Sequence, residues 1–510
     1  MIINLKAMIV VLAIAMTVFV IAKPICLRFM AEDDFARRRN VWIALTLIAF
    51  TSPSLWVFVL VAIPLLAWSA RKDTNPVALY LLVLHVISPD DGLPITMMGI
   101  KELFEINIYR ILSFAILVPT AWRLMQSTDT TGFRLTSMDV LILAYCGLHL
   151  VLFMPYESVT NTMRRGFLLS VDVLVLYYVV SRTCTSRKAI VEAMASFCLA
   201  GAILAPLAAF ESLRGWPLYS EIGEIWGIPL STQLLVRGDT LRAPVSAGHS
   251  IALGYLIAIA FGFWLYLRSR VQSIPLTIPV AIWMWVGLLA AYSRAPWLVA
   301  VAIFFAYLAL GPNGFTRFFV ASIVSSLIAG LVLVSPIGNR VIDNLPFVGT
   351  VNVDTVIYRE RLAEMSWALI QKNPFFGDPF FLSNLEALRQ GQGIIDLVNT
   401  YAAVTMHSGL VGLCLFVGPF ILGMWNTYRS VNRSAGPDQE VSLLGASLLA
   451  CMLGTLLMLA TASFILGIAI MYWVLVGLAA GYHRLGRPEE TAQTPRSYAT
   501  GPYSRWQWKR

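Results

Sequence analysis

The chain alternates between long apolar runs and short polar links over most of its length. A helix rises about 1.5 Å per residue, so about 20 apolar residues cross the roughly 30 Å hydrocarbon core of a bilayer. The pattern predicts an all-α fold, a polytopic bundle of about 12–14 transmembrane helices. The predicted spans lie near residues 7–22, 41–69, 75–88, 106–122, 135–153, 166–181, 188–209, 248–267, 275–292, 295–310, 317–335, 408–427, 441–460 and 462–482.

The run at residues 41–69 is long for one crossing and is interrupted by Thr51-Ser52-Pro53-Ser54. We interpret it as two short helices that form a hairpin. A single tilted helix is the alternative, and it would invert the orientation of every span that follows.

One long polar stretch, about residues 336–412, interrupts the apolar pattern. From Asp354 to Lys372 its apolar residues recur at helical spacing, which predicts a one-sided amphipathic helix. Asn373-Pro374 ends that helix, because proline disfavours helical backbone in the residue before it. We interpret residues 336–407 as a partly helical cap that rests on the bundle. The apolar positions are Tyr358, Leu362, Met365 and Leu369, and the other faces carry Arg359, Glu360, Arg361 and Glu364.

The composition supports a membrane protein and argues against nucleic acid as a partner. Hydrophobic residues make up 58% of the 510 residues, charged residues 13%, and the mean hydropathy is +0.74. Soluble proteins carry about a quarter charged residues. The net charge of +9 comes from lysines and arginines that mostly sit at helix ends, where the preference of basic residues for the cytoplasmic side explains them.

The same preference orients the chain. Lys6 stands alone before the first span, whereas five basic residues follow it between Lys23 and Arg39, which predicts an external N-terminus. Alternation then places the loop 211–247 and the cap on one external side. We divide the chain into N-terminal transmembrane helices (1–234), a core that contains the cap (235–427), C-terminal helices (428–483), and a basic, polar cytoplasmic tail (484–510) that we expect to be disordered.

Six cysteines and five histidines are scattered without metal-type spacing, so we predict no metal site, no disulfide and no cofactor. Internal repeats are absent as well, which weakens an interpretation as a secondary transporter, since many of these show repeated halves.

Four arginines stand on the predicted external side, against the orientation rule. They are Arg242, Arg294, Arg164 and Arg165. An arginine at the membrane edge costs a few kcal/mol unless it is paired or functional, and its planar donor fork matches phosphate oxygens. The alternative is that these side chains reach out to lipid headgroups. For Arg242 and Arg294 together we favour a diphosphate-binding pocket, which Arg164 and Arg165 would extend.

Two residues are candidates for a general base. His249 opens a predicted helix, and a structural role is the alternative for it. Asp396 has apolar sequence neighbours that favour its protonated form and so make it a usable base, and its alternative role is to cap the next helix. We assign Arg361 and Glu364 to the surface or internal ion pairs of the cap. The sequence has no glycine-rich phosphate loop, nucleophile elbow or zinc motif.

These residues lie in a series of short motifs between residues 235 and 425. The series is Arg242 with Gly248-His249, then Ala291-Tyr292-Ser293-Arg294-Ala295-Pro296-Trp297, Arg361 to Trp367 with Asn373-Pro374-Phe375-Phe376-Gly377, and Val398-Asn399-Thr400-Tyr401 with Ser408-Gly409-Leu410-Val411-Gly412-Leu413. In order and spacing it resembles the superfamily of O-antigen ligases and O-antigen or exopolysaccharide polymerases of bacterial inner membranes.

The resemblance implies transfer of a glycan from an undecaprenyl-diphosphate carrier to an acceptor sugar hydroxyl, without a metal. It implies that Arg242 and Arg294 engage the diphosphate. We assign four residues to the cap and the acceptor side: Arg361, Glu364, Asn399 and Tyr401. Ligases of this superfamily have a histidine before the Asn-x-Tyr element, where this chain has Val398. That departure favours a polymerase, with Asp396 or His249 as the base.

The sequence therefore predicts a membrane glycosyltransferase of the inner membrane whose site faces the periplasm. Its partners would be the lipid-linked glycan, the acceptor glycan, the bilayer and proteins of polysaccharide export or chain-length control. A transporter or flippase for a lipid-linked sugar is the alternative, and a non-catalytic scaffold of an export complex is a third option. A flippase needs a binding site that is accessible from both leaflets. The four arginines that break the orientation rule lie on one predicted side, which favours the glycosyltransferase.

Overall fold

The computed structural model describes residues 2–88, 93–97, 100–126, 135–227, 236–237, 240–271, 274–335, 353–389, 395–434 and 439–485. Within these residues the chain is a bundle of α-helices, which confirms the predicted all-α class. The first part of the predicted cap, residues 336–352, and the predicted tail after Leu485 lie outside the described residues. The predicted domain boundaries remain predictions.

The helices follow one another along the whole chain. They are α1 (Ile2–Cys26), α2 (Glu32–Thr51), α3 (Leu55–Lys72), α4 (Pro76–Val83), α5 (Ile108–Gln126), α6 (Ser137–Phe153), α7 (Val159–Thr183), α8 (Arg187–Arg214), α9 (Ser220–Trp226), α10 (Ser250–Leu267), α11 (Ile274–Ala290), α12 (Arg294–Leu310), α13 (Gly314–Val334), α14 (Val353–Lys372), α15 (Thr400–Ser434), α16 (Gln439–Thr461) and α17 (Leu466–Leu485).

Two short antiparallel strand pairs interrupt the helices. The strand β1 (Leu93–Met97) pairs with β2 (Ile100–Ile106), with Leu93 opposite Ile106. The strand β3 (Val236–Arg237) pairs with β4 (Thr240–Leu241), with Val236 opposite Leu241. The second pair leads directly into the loop that carries Arg242.

Ten of the described helices are long and apolar enough to cross a membrane. Three shorter apolar helices, α6, α11 and α12, accompany them. Together they agree with the predicted 12–14 spans. In α13 no residue is buried, as expected for an apolar helix whose neighbour is lipid.

The predicted hairpin at residues 41–69 is confirmed, and the single tilted helix is wrong. Helix α2 ends at Thr51, and α3 begins after Ser54, whose side chain accepts a hydrogen bond from the Val57 backbone N–H. Helix α3 packs back against α2. The polar interruption in the sequence is therefore a turn closed by a helix N-cap.

The predicted span near residues 75–88 is wrong. Helix α4 has only eight residues, or about 12 Å of helix. Residues 84–87 continue as non-helical chain that is buried inside the protein. Non-helical backbone is tolerated at membrane depth only where protein covers it, and here it supplies a carbonyl group, that of His85, to the loop after Arg242.

Helix α10 lies at the centre of the bundle. Every residue from Ala252 to Leu267 is buried. The helices around it are α8, α11, α12, α16 and α17. A helix that is apolar on all sides is typically buried in the core. Because several helices pack around α10, its first turn is held in place.

The described part of the cap begins with α14, which confirms the predicted amphipathic helix at residues 354–372. Leu362 is buried, and Tyr358, Met365 and Leu369 pack beside it. The 3₁₀-helix Phe381–Leu388 covers the same small core. The predicted charged positions on the other faces, Arg359, Glu360, Arg361 and Glu364, are exposed.

The cap docks into a break in helix α15. Gly409 leaves the helical conformation with φ 66° and ψ −170°, which frees backbone groups on both sides of it. The Leu410 N–H donates to the Pro374 carbonyl at 2.8 Å and the Val411 N–H to the Phe375 carbonyl at 3.1 Å. The Asp378 N–H donates to the Met406 carbonyl at 2.7 Å. The turn 373–378 thus replaces the hydrogen bonds that α15 loses at its break.

Candidate functional site

Arg242 and Arg294 lie on neighbouring loops. Arg242 follows strand β4, and the backbone N–H of Ala243 donates to the carbonyl of Ala290 at 3.3 Å. Ala290 ends α11, and the turn 291–293 then leads to Arg294 at the first position of α12. Both arginine side chains are partly buried, and the Nε atom of each is shielded from solvent.

A buried glutamate fixes the loop that follows Arg242. Val245 has φ 45°, which a β-branched residue adopts only under strain. The Glu211 carboxylate, at the end of α8, accepts from the Val245 N–H at 2.9 Å and from the Leu218 N–H at 2.7 Å. The Ser246 hydroxyl donates to the His85 carbonyl. Sequence reasoning missed Glu211, whose place at the end of an apolar run was the available signal.

The turn that carries Arg294 is also strained and close to α10. Tyr292 has φ 46°, and the Trp297 indole N–H donates to the Leu288 carbonyl at 2.8 Å across the turn. A Cβ on Gly254 would lie 2.8 Å from the Pro296 ring, so only glycine allows the first turns of α10 and α12 to approach this closely. Arg294 is a cation at a helix N-terminus, where the helix dipole disfavours it and an anion would offset the cost.

His249 caps helix α10 and is close enough to Arg242 and Asp396 for both of their charges to act on it. Its Nδ1 accepts from the Ile251 N–H at 3.1 Å. Burial and the charge of Arg242 lower the pKa of His249 to about 4, against the opposing charge of Asp396. The ring is therefore neutral at pH 7 and carries its proton on Nε2. With Nδ1 already occupied, His249 is a hydrogen-bond donor through Nε2, and this arrangement disfavours it as the base.

Asp396 is exposed, and Ser463 orients it. The Ser463 hydroxyl donates to Asp396 Oδ1 at 2.9 Å and also contacts the Leu397 carbonyl. The predicted apolar surroundings are wrong for the side chain, because Ile395 and Leu397 turn into the cap core while Asp396 faces away from it. Among the described residues none is hydrogen-bonded to Oδ2, so this oxygen is available as a proton acceptor.

The predicted capping role of Asp396 belongs to Asn399. The Asn399 side-chain oxygen accepts from the Ala402 N–H at 3.1 Å, and α15 begins at Thr400. Tyr401 donates its hydroxyl hydrogen to the Leu456 carbonyl at 2.9 Å. Asn399 and Tyr401 therefore fix the first turn of α15 beside Asp396. Arg361 and Glu364, predicted for the cap, are exposed on α14, and in the described part of the chain they form no ion pair with each other.

Arg165 belongs to a different group of side chains. Its guanidinium carbon lies 3.4 Å from the centre of the Phe153 ring. Phe153 lies beside His407, and His407 stacks on His149 with ring centres 4.7 Å apart. Arg164 precedes Arg165 on α7 and is partly buried. Scattered histidines in the sequence thus become a stacked pair in the fold.

The residues near Arg242 form the candidate active site, which consists of Arg242, Arg294, His249 and Asp396. Two arginines and two helix N-termini attract an anion. A neutral histidine offers a further donor, and one carboxylate can accept a proton. Together with the ten helices that could cross a membrane, these features describe a multi-pass membrane protein with a candidate anion-binding site.

The comparison with protein families agrees with this architecture. Residues 279–417 match the O-antigen ligase family model. The match contains Arg294, the cap helix α14, Asp396 and the break in α15, and it confirms the predicted resemblance to the O-antigen ligase and polymerase superfamily. None of the curated proteins compared with the chain matches it.

Proposed function

We propose that the protein is a glycosyltransferase of the bacterial inner membrane that polymerises undecaprenyl-diphosphate-linked oligosaccharides at the periplasmic face. The observation that carries the proposal is that the loops of Arg242 and Arg294 are joined by a backbone hydrogen bond, while the charges of Arg242 and Asp396 both act on His249. The O-antigen ligase match over residues 279–417 supports glycan processing at a membrane. Val398, at the position of the ligase histidine, favours polymerisation over ligation.

The reaction needs little from the protein besides positioning and charge. The sugar is bound through its anomeric carbon to a diphosphate, which is already a good leaving group. The guanidinium groups of Arg242 and Arg294 neutralise the negative charge that grows on the diphosphate as the carbon–oxygen bond breaks. The Nε2–H of His249 donates a hydrogen bond to an oxygen of the same group.

The acceptor hydroxyl attacks from the opposite face. Its oxygen forms the new bond to the anomeric carbon while the bonding pair of the old bond leaves with the diphosphate. Oδ2 of Asp396 takes the hydroxyl proton. Attack from the face opposite the leaving group inverts the anomeric centre. Ser463 holds the carboxylate through Oδ1 and leaves Oδ2 directed to the acceptor.

Purified full-length protein in nanodiscs tests the proposal with a fluorescent undecaprenyl-diphosphate oligosaccharide as both donor and acceptor. We expect a ladder of lipid-linked products that grow by whole repeats, and its loss in Arg242→Ala and Arg294→Ala. A single transfer to a lipid A-core acceptor without a ladder would identify a ligase. Full turnover in both variants would refute the arginine assignment, and movement of the lipid across a liposome membrane without new glycosidic bonds would identify a flippase.

A further inference from the structure

Arg165 has no ion-paired carboxylate partner among the described residues, although it is partly buried and the negative charge of Glu157 acts on it. Other buried arginines of the bundle have such partners. Arg182 binds Asp139 through two nitrogens at 2.7 and 2.8 Å, and Arg110 binds Asp172. Arg165 instead stacks on Phe153. A guanidinium group that is placed on an aromatic ring keeps its five N–H donors directed outward in its plane.

The imidazole rings of two histidines continue the stack. His407 lies 6.0 Å from Phe153 and 4.7 Å from His149, ring centre to ring centre. His149 Nε2 and His407 Nδ1 are shielded from solvent, and in the described part of the chain neither has a hydrogen-bond partner. Buried polar atoms without partners are rare in proteins and call for a ligand or an ordered water. We name Arg165, Phe153, His149 and His407 the Arg165 cluster.

Aromatic side chains form an exposed edge next to this cluster. Phe380 of the cap lies 5.2 Å from Phe153, and Tyr156 lies 5.9 Å from Phe380, ring centre to ring centre. Tyr156 is 69% exposed and Phe380 39% exposed. A partly buried cation in a cluster that adjoins flat, exposed aromatic rings suits a ligand with an anionic group and an adjoining apolar or sugar face.

The cluster and the candidate active site lie at two points of the same helical segment. Asp396 precedes the first turn of α15, and His407 lies at the break near Gly409. The helix between Thr400 and His407 is about 10 Å long. This length of helix separates the end of α15 beside Asp396 from His407 of the Arg165 cluster.

We propose that the Arg165 cluster is a second phosphate-binding site, which holds the diphosphate of the acceptor while Arg242 and Arg294 hold that of the donor. The inference rests on the proposed polymerase function, since a polymerase of lipid-linked glycans binds two carriers at once. Arg165 binds phosphate oxygens through its planar fork, and the two histidines donate to the same group. Phe380 and Tyr156 contact the first sugar.

The number of bound carriers tests this assignment. Undecaprenyl diphosphate is titrated into the full-length protein in detergent, and native mass spectrometry counts the bound lipids. We expect two for the wild type and one for Arg165→Ala, with at least a tenfold higher lipid concentration needed for the second. Arg165→Lys, which keeps the charge without the fork, should give an intermediate result. Arg389→Ala removes an exposed arginine of the cap that is ion-paired to Glu386 and serves as the matched control.

Each outcome separates this site from the first one. Two tightly bound lipids in Arg165→Ala, or a wild type that binds one lipid regardless of Arg165, overturns the second site. If Arg165→Ala binds one lipid fewer than the wild type while the double variant Arg242→Ala/Arg294→Ala still binds two, the second site is supported. The same result would refute the assignment of Arg242 and Arg294 to the donor. Competition by inorganic pyrophosphate at the Arg165 site shows recognition of the headgroup, whereas competition by undecaprenol alone would refute it.

Discussion

Gly377 of the cap and Gly409 of helix α15 lie so close to the backbone of the opposite segment that neither position has room for a side chain. A Cβ on Gly377 would lie 2.5 Å from the Met406 carbonyl oxygen, and one on Gly409 would lie 2.1 Å from the Phe375 carbonyl carbon. Both glycines have positive φ, 63° and 66°. The two glycines thus allow the cap and the broken helix to share backbone hydrogen bonds.

We expect Gly377→Ala and Gly409→Ala to destabilise the protein by at least about 2 kcal/mol each, from the left-handed backbone and the backbone clash together. The cap would separate from α15, so activity should fall with stability. Thermal unfolding in detergent measures the effect. Gly330→Ala in the lipid-facing helix α13 is the control, because its Cβ meets nothing within 4 Å. An unchanged unfolding temperature in Gly409→Ala would contradict the close backbone packing of the cap against the break in α15.

The sequence predicts the helices well because membrane helices need only a run of apolar residues of the right length. The cap helix is predicted equally well, because its apolar residues Tyr358, Leu362, Met365 and Leu369 recur at helical spacing. The sequence did not predict the end of α4 at Val83. An apolar run has the same composition whether it spans lipid as a helix or continues as buried irregular chain.

The candidate site could be predicted only in part. Arg242 and Arg294 stand out because they break the orientation rule, and their loops are adjacent in the fold. The contacts of Glu211, Ser463 and the stacked pair His149–His407 join residues far apart in the chain, and no local pattern encodes them. The pairing of the turn 373–378 with the break at Gly409 is non-local in the same way.

Glu211 should act as a positioning residue for Arg242. Glu211→Leu removes both acceptors of the Val245 and Leu218 N–H groups, and each unsatisfied buried donor costs about 1–3 kcal/mol. Glu211→Gln keeps one carbonyl oxygen and should lose about half as much. We expect the KM for the lipid-linked donor to rise in Glu211→Gln while kcat changes little, because the loop with Arg242 loosens. Equal KM values for Glu211→Gln and wild type would show that Glu211 supports folding only.

Asp396→Asn should lower kcat by about 10²- to 10⁴-fold, the usual contribution of a general base, and leave donor binding unchanged. Ser463→Ala should give a smaller loss, because the carboxylate remains but loses its Oδ1 partner. Single-turnover kinetics with excess protein measure the chemical step. Glu386→Gln, another exposed carboxylate of the cap, is the control. Normal single-turnover rates in Asp396→Asn would exclude it as the base.

The stability of the protein should fall in acid because of His249. Its pKa is about 4 in the folded state and about 6.5 when unfolded, so between these values the unfolded chain binds more protons. Stability is therefore complete above pH 6.5 and is lost as the pH falls towards 4, by about 3 kcal/mol at most. Thermal unfolding of wild type and His249→Gln across this range measures the difference. In Arg242→Ala the charge that lowers the His249 pKa is absent, so the loss should be smaller. An identical pH dependence in wild type and His249→Gln would show that His249 does not titrate as its surroundings require.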